Sequence, residues 1–174
     1  KEPTRGLFLA KAFPEAKIIH LIRDPVKIIA SDYFRIRDGT GFRFLRKNYS
    51  GATVPSFFLS LSAVNWTLGN IMGEIVRRIS PDRVLQVRFE DLCANPRATL
   101  SKIGDFIEAD LSDVITAVEQ GYTLELRHKI AGNRLRMKGS FVFNPARQTG
   151  RDLPRKYQRM VEFVDLPMRK YYGY

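Results

Sequence analysis

FPEAKIIHLIRDPVKIIASDYFR, residues 13–35, decides how this chain folds. Its apolar run, Ile18–Ile22, is short, β-branched and unbroken, the signature of a buried parallel strand. Arg23-Asp24-Pro25 ends the run. Pro25 suits the first turn of a helix, where its missing N–H is no loss. The helical pattern that follows carries Ser31 and Arg35, four residues apart and so on one face. Arg23, at the strand's end, can reach forward toward them. Two guanidinium groups and a hydroxyl converging beside a strand-to-helix junction suit a phosphate, because guanidinium forks match its oxygens. The carboxyl ends of parallel strands are also where open α/β sheets bind ligands.

These residues resemble the 3′-phosphate-binding segment of sulfotransferases that use 3′-phosphoadenosine-5′-phosphosulfate (PAPS): a strand ending in Arg-Asp-Pro, a Ser eight residues after the Arg, and often an Arg four further on. Later segments fit the same family. Val84–Val87 followed by Arg88-Phe89-Glu90-Asp91-Leu92 is similar to its strand ending in Arg-Tyr-Glu-Asp-Leu, with Phe89 where Tyr is frequent. Asn95-Pro96-Arg97-Ala98-Thr99-Leu100-Ser101-Lys102-Ile103 is similar to the helix that follows. His128-Lys129-Ile130-Ala131-Gly132-Asn133-Arg134-Leu135-Arg136 and the closing Tyr172-Gly173-Tyr174 resemble the carbohydrate-sulfotransferase branch.

The resemblance implies a P-loop-like, three-layer α/β fold with a central parallel sheet. It implies PAPS as co-substrate, adenosine 3′,5′-bisphosphate as product, no metal, and a hydroxyl- or amine-bearing acceptor such as a sugar. It assigns Arg23, Ser31 and Arg35 to the nucleotide's 3′-phosphate, and Arg136 and Lys138 to a loop closing over it, with His128 able to orient that loop. The family's phosphosulfate loop, a Ser-Gly-Thr-Thr-like turn whose backbone N–H groups cradle the anion, has no counterpart here. Lys1-Glu2-Pro3 looks like the segment just before the 3′-phosphate strand. The first strand, its loop and the general base are therefore expected upstream, with Lys1 a site contact only in their presence. No catalytic residue is identified. Lacking its first strand, the sheet is expected to present a raw edge or face.

Composition agrees. The chain has 174 residues, 44% of them hydrophobic, enough for one domain with a filled core. It carries 29 Lys+Arg against 18 Asp+Glu, a formal charge of +11, which points to anionic partners. A polyanionic nucleotide satisfies that excess; nucleic acid rests on charge alone and is disfavoured. Cys93 is the one cysteine, so an internal disulfide and a cysteine-rich zinc site are excluded. No apolar run approaches the roughly 20 residues of a membrane span. Cytoplasmic residence is favoured, with the Golgi lumen open if an upstream anchor exists. A non-catalytic module binding adenosine 3′,5′-bisphosphate or a sulfated polymer is the alternative function.

The remaining pattern alternates. Helices are expected at Thr4–Ala12, Pro25–Arg35, Ser56–Ile79, Pro96–Ile107, Ser112–Gln120 and Pro154–Val164, and strands at Lys17–Ile22 and Arg83–Phe89. In the long helix, Leu61, Val64, Leu68, Ile71, Met72, Ile75 and Ile79 recur at three-and-four spacing, predicting one buried stripe with Trp66 off it. Residues 36–53 form a basic loop with Arg37, Arg43, Arg46 and Lys47 among Phe42, Phe44 and Tyr49, suited to an acidic or sugar acceptor or to folding back on the core. His20 is expected in the core.

Overall fold

The computed structural model describes residues 5–38, 54–125, 139–144 and 151–174. Helix α1 (Arg5–Ala12) leads into strand β1 (Ile18–Ile22) and helix α2 (Pro25–Arg37). The long α3 (Ser56–Ile79) and a single 3₁₀ turn (Pro81–Arg83) precede β2 (Val84–Arg88). Helices α4 (Phe89–Ala94), α5 (Pro96–Ile107) and α6 (Ser112–Glu119) follow. A short antiparallel pair, β3 (Thr123–Glu125) and β4 (Ser140–Val142), precedes α7 (Arg155–Val164) and α8 (Leu166–Tyr172).

Strands β1 and β2 pair in parallel, with Ile18 opposite Val84 and Ile22 opposite Arg88. A parallel pair needs a crossover, and α2 and α3 supply it. Local chemistry places the elements. The Asp24 carboxylate accepts from the Val26 N–H at 3.0 Å and caps α2, with Pro25 in its first turn. Asn95 caps α5 by accepting from the Ala98 N–H at 3.1 Å. Gly121, at φ +67°, turns the chain after α6. The Arg83 guanidinium donates to the carbonyls of Ala10, Phe13 and Ala16, tying the α1–β1 connection to the start of β2.

The main core joins α2, α3 and α7: Val26, Ile29, Ala30 and Ile36 meet Leu59 and Ala63, then Tyr157 and Val161, with Val54 and Leu153 beside them. A smaller cluster joins Ile22 at the end of β1, Trp66 in the middle of α3 and Tyr172 at the end of α8. Cys93 is buried, in keeping with a small apolar role.

Three expectations are corrected. The stripe on α3 is not buried as one face: Leu61, Val64 and Leu68 are more than 40% exposed and Ile79 is 69% exposed, while Ile71, Met72 and Ile75 are half-buried. The buried face carries Leu59, Ala63, Trp66, Asn70 and Glu74 instead. That face holds polar partners for both strands and for α8, in Asn70, Trp66 and Glu74. Strand β1 is likewise covered on one side only. His20 and Ile22 lie toward α3 and Tyr172, whereas Ile19 and Leu21 remain exposed. His20 is half-buried rather than fully in the core. Nestled against Gly73, it shares a hydrogen bond with Asn70 (Nε2 to Oδ1, 3.1 Å), and burial pushes its pKa below the ordinary value.

Candidate functional site

The carboxyl ends of β1 and β2 lie side by side, so Arg23 and Arg88–Glu90 converge at one end of the sheet. The Arg23 guanidinium sits 4.6 Å from the centroid of the Phe89 ring, a cation–π contact that keeps the charge beside an apolar face. A phenol is not needed for that contact, so Phe89 preserves it in place of Tyr.

The Arg23–Asp24 peptide is held from both sides. Its carbonyl, that of Arg23, accepts from the Trp66 indole N–H at 3.0 Å, and its N–H, that of Asp24, donates to Glu90 at 3.0 Å. Glu90 also accepts from the Tyr174 hydroxyl at 2.6 Å, while the Arg88 guanidinium stacks 4.6 Å over the Tyr174 ring.

Ser31 and Arg35 share a face of α2 and are both exposed. Arg35 pairs with Asp32 at 3.2 Å, so its charge is shared with a carboxylate one turn away. Arg136, Lys138, His128 and Lys1, with residues 39–53 of the basic loop, lie outside the described residues. A cleft of about 340 Å³ opens beside β2, lined by Gln86, Val87, Arg88, Asp91, Ala98, Thr99 and Lys102.

Behind the site, Glu74 on α3 is 7% exposed and serves as a hub. It accepts from Gln86, from Arg77 at 2.8 and 3.0 Å, from Tyr171 at 3.0 Å and from Tyr172 at 2.9 Å. Burial opposes its ionisation, but these donors together hold its carboxyl below the usual range. Asp165, fully buried between α7 and α8, accepts from the Thr67 hydroxyl at 2.7 Å. Its burial pushes the pKa up to about 6.

The family model for the Sulfotransferase family matches residues 5–113, well over half of the chain. The chain belongs to the sulfotransferase family. The chain also superimposes on a sulfotransferase domain from the curacin biosynthetic pathway, with a TM-score of 0.54 at 17% identity. The likeness establishes a P-loop-like α/β fold. It covers 96% of this chain and 58% of that domain, so the sulfotransferase chain spans little more than half the length of its structural relative. No curated protein matches the sequence.

Trp66, Glu90 and Tyr174 are the site residues that reasoning from the sequence did not single out. Glu90 and Tyr174 lay within segments matched to the family, which was a usable signal. Trp66 gave a misleading one by lying off the apolar stripe.

Proposed function

We propose that this sulfotransferase chain binds the 3′-phosphate end of PAPS and takes part in transfer of its sulfuryl group to an acceptor hydroxyl or amine, a sugar being the acceptor class that the carbohydrate-branch resemblance favours. One observation carries the nucleotide half of the reading: a guanidinium, that of Arg23, fixed at the carboxyl end of a parallel strand immediately before a capped helix. The start of α2 adds the positive end of its dipole. Ser31 offers an exposed hydroxyl donor, and Arg35, shared with Asp32, a second cation. The residues therefore fit a phosphate by charge and by donor type.

In the reaction, the sulfur–oxygen bond to the nucleotide breaks as one forms to the acceptor oxygen or nitrogen, the acceptor gives up a proton, and adenosine 3′,5′-bisphosphate departs. Cations that stabilise charge on the departing group lower the barrier. No stretch of the sequence matches a Ser-Gly-Thr-Thr-like loop and no residue is identifiable as the general base, so these residues take the nucleotide's 3′ end and none is given a proton-transfer role. Membership of a transferase family weighs against the non-catalytic binding module.

Calorimetry on the complete protein tests the reading. Arg23→Ala should remove a charge-assisted contact worth about 1.5–3 kcal/mol, weakening adenosine 3′,5′-bisphosphate roughly tenfold to a hundredfold. Equal affinity of the parent protein for adenosine nucleotides with and without the 3′-phosphate would refute it.

A further inference from the structure

The Arg23–Asp24 peptide has both polar ends tied to distant parts of the chain. Trp66 on α3 holds the carbonyl and Glu90, just after β2, holds the N–H. Because a peptide is a rigid plane, fixing both ends fixes its rotation. The Arg23 Cα lies in that plane, so the two bonds also fix where it sits relative to α3 and the end of β2, and with it the point from which the Arg23 side chain sets out.

Glu90 is itself held. Its second oxygen accepts from the Tyr174 hydroxyl, and burial together with that carboxylate raises the Tyr174 pKa, so the phenol remains a donor. Tyr174 is placed by its own N–H, which donates to the Arg169 carbonyl at 2.9 Å, and by the Arg88 guanidinium stacked on its ring. Gly173, at φ +75°, turns the chain to bring Tyr174 there, and its carbonyl accepts from Arg88 at 3.5 Å. Next to it, Tyr171 and Tyr172 are anchored on Glu74, and Tyr172 meets Trp66 edge to face with ring centroids 6.3 Å apart. The tyrosine-rich segment thus touches both residues that hold the peptide.

We infer that Glu90 and Tyr174 are positioning residues for nucleotide recognition: they hold the base of Arg23 in place by locking the Arg23–Asp24 peptide, without touching the nucleotide themselves. The inference rests on the assignment of Arg23 to the 3′-phosphate. Its signature is a loss of discrimination, because a misplaced guanidinium weakens its own contact and leaves the rest of the nucleotide site intact.

The experiment measures binding of adenosine 3′,5′-bisphosphate and of adenosine 5′-phosphate to the complete protein, with Tyr174→Phe, Glu90→Gln and Glu90→Ala compared against the parent. Melting curves accompany each variant. Tyr174→Phe removes one hydroxyl and should weaken the bisphosphate roughly 3- to 10-fold, the size of one hydrogen bond, while leaving the monophosphate within about twofold. Glu90→Ala should lose more, and Glu90→Gln, which keeps an oxygen for the Asp24 N–H, should recover part of the loss. A parent that discriminates, with variants that discriminate equally well or weaken both nucleotides alike, overturns this inference alone. A parent that shows no preference for the 3′-phosphate overturns the assignment of Arg23 and this inference with it.

Discussion

Gly73 offers a substitution whose sign is diagnostic. A Cβ built there would lie 2.3 Å from His20 Cε1 and 2.7 Å from both ring nitrogens, closer than any real contact. In an exposed helix interior, glycine to alanine stabilises by about 1 kcal/mol. At Gly73 the methyl must displace a half-buried ring, and overpacking of that kind costs about 1–3 kcal/mol. Displacing His20 also forfeits its hydrogen bond with Asn70, about 1 kcal/mol more. After the gain in propensity, Gly73→Ala should destabilise the complete protein by about 1–3 kcal/mol, lowering Tm by roughly 2–12 °C for a domain of this size. The clash names its own suppressor, since His20→Ala removes the ring. In the double variant, Gly73→Ala should cost little or even stabilise, a coupling readable from a four-point denaturation cycle. A Gly73→Ala protein as stable as its parent, or a cost unchanged in the His20→Ala background, would refute the account of how α3 meets β1.

Other consequences can be measured on the same protein. Asp165, pushed up to about 6 by burial from a reference of 3.8, binds more protons folded than unfolded between those values. Its contribution therefore falls as pH rises from about 4 to 6, by an amount on the order of 2–3 kcal/mol; Asp165→Asn should remove that decline, and identical urea-melt profiles for the two proteins would contradict it. Glu74 has the opposite sign, because its donors hold its pKa low, so its stabilisation is present above the unfolded value and fades as pH falls through the folded one. Glu74→Ala should cost about 2–3 kcal/mol at neutral pH, and a cost that does not shrink below about pH 4 would exclude the ionised hub. Leu61→Lys with Leu68→Lys, on the exposed part of the α3 stripe, should reduce self-association in light scattering while changing stability by no more than about 0.5 kcal/mol per site. A large loss of stability would mean that the stripe is packed.

The strands and the starts and extents of α2, α3, α5 and α6 were legible because each rests on a local rule: a β-branched run, a proline in a first turn, apolar residues at three-and-four spacing. The place of Arg23 at a strand's end was legible for the same reason. The peptide lock was not, since Trp66, Glu90 and Tyr174 come from segments 43, 66 and 84 residues apart from the groups they bind. No local pattern encodes such contacts. Period analysis of α3 found the right helix and chose the wrong face, because it weighs apolar residues alone.

Burying Leu61, Val64 and Leu68 would each have gained about 1.5–3 kcal/mol over leaving them in water, so the inward face must offer more than area. It does so through fit. Trp66 brings both a large ring for the Ile22–Tyr172 cluster and the indole N–H that the Arg23 carbonyl requires. Gly73 lets the helix approach His20 closely, and Asn70 satisfies one nitrogen of that ring. Glu74 gathers donors from β2 and from α8, each of which would lose a partner if α3 turned its apolar stripe inward. A buried donor without an acceptor costs about 1–3 kcal/mol. Several such losses at once are of the same size as the gain from burying three aliphatic side chains, and the ring packing of Trp66 adds to them. The orientation of α3 is therefore set by its polar groups together with the ring of Trp66, and one of those groups, the Trp66 indole N–H, also holds the Arg23 carbonyl.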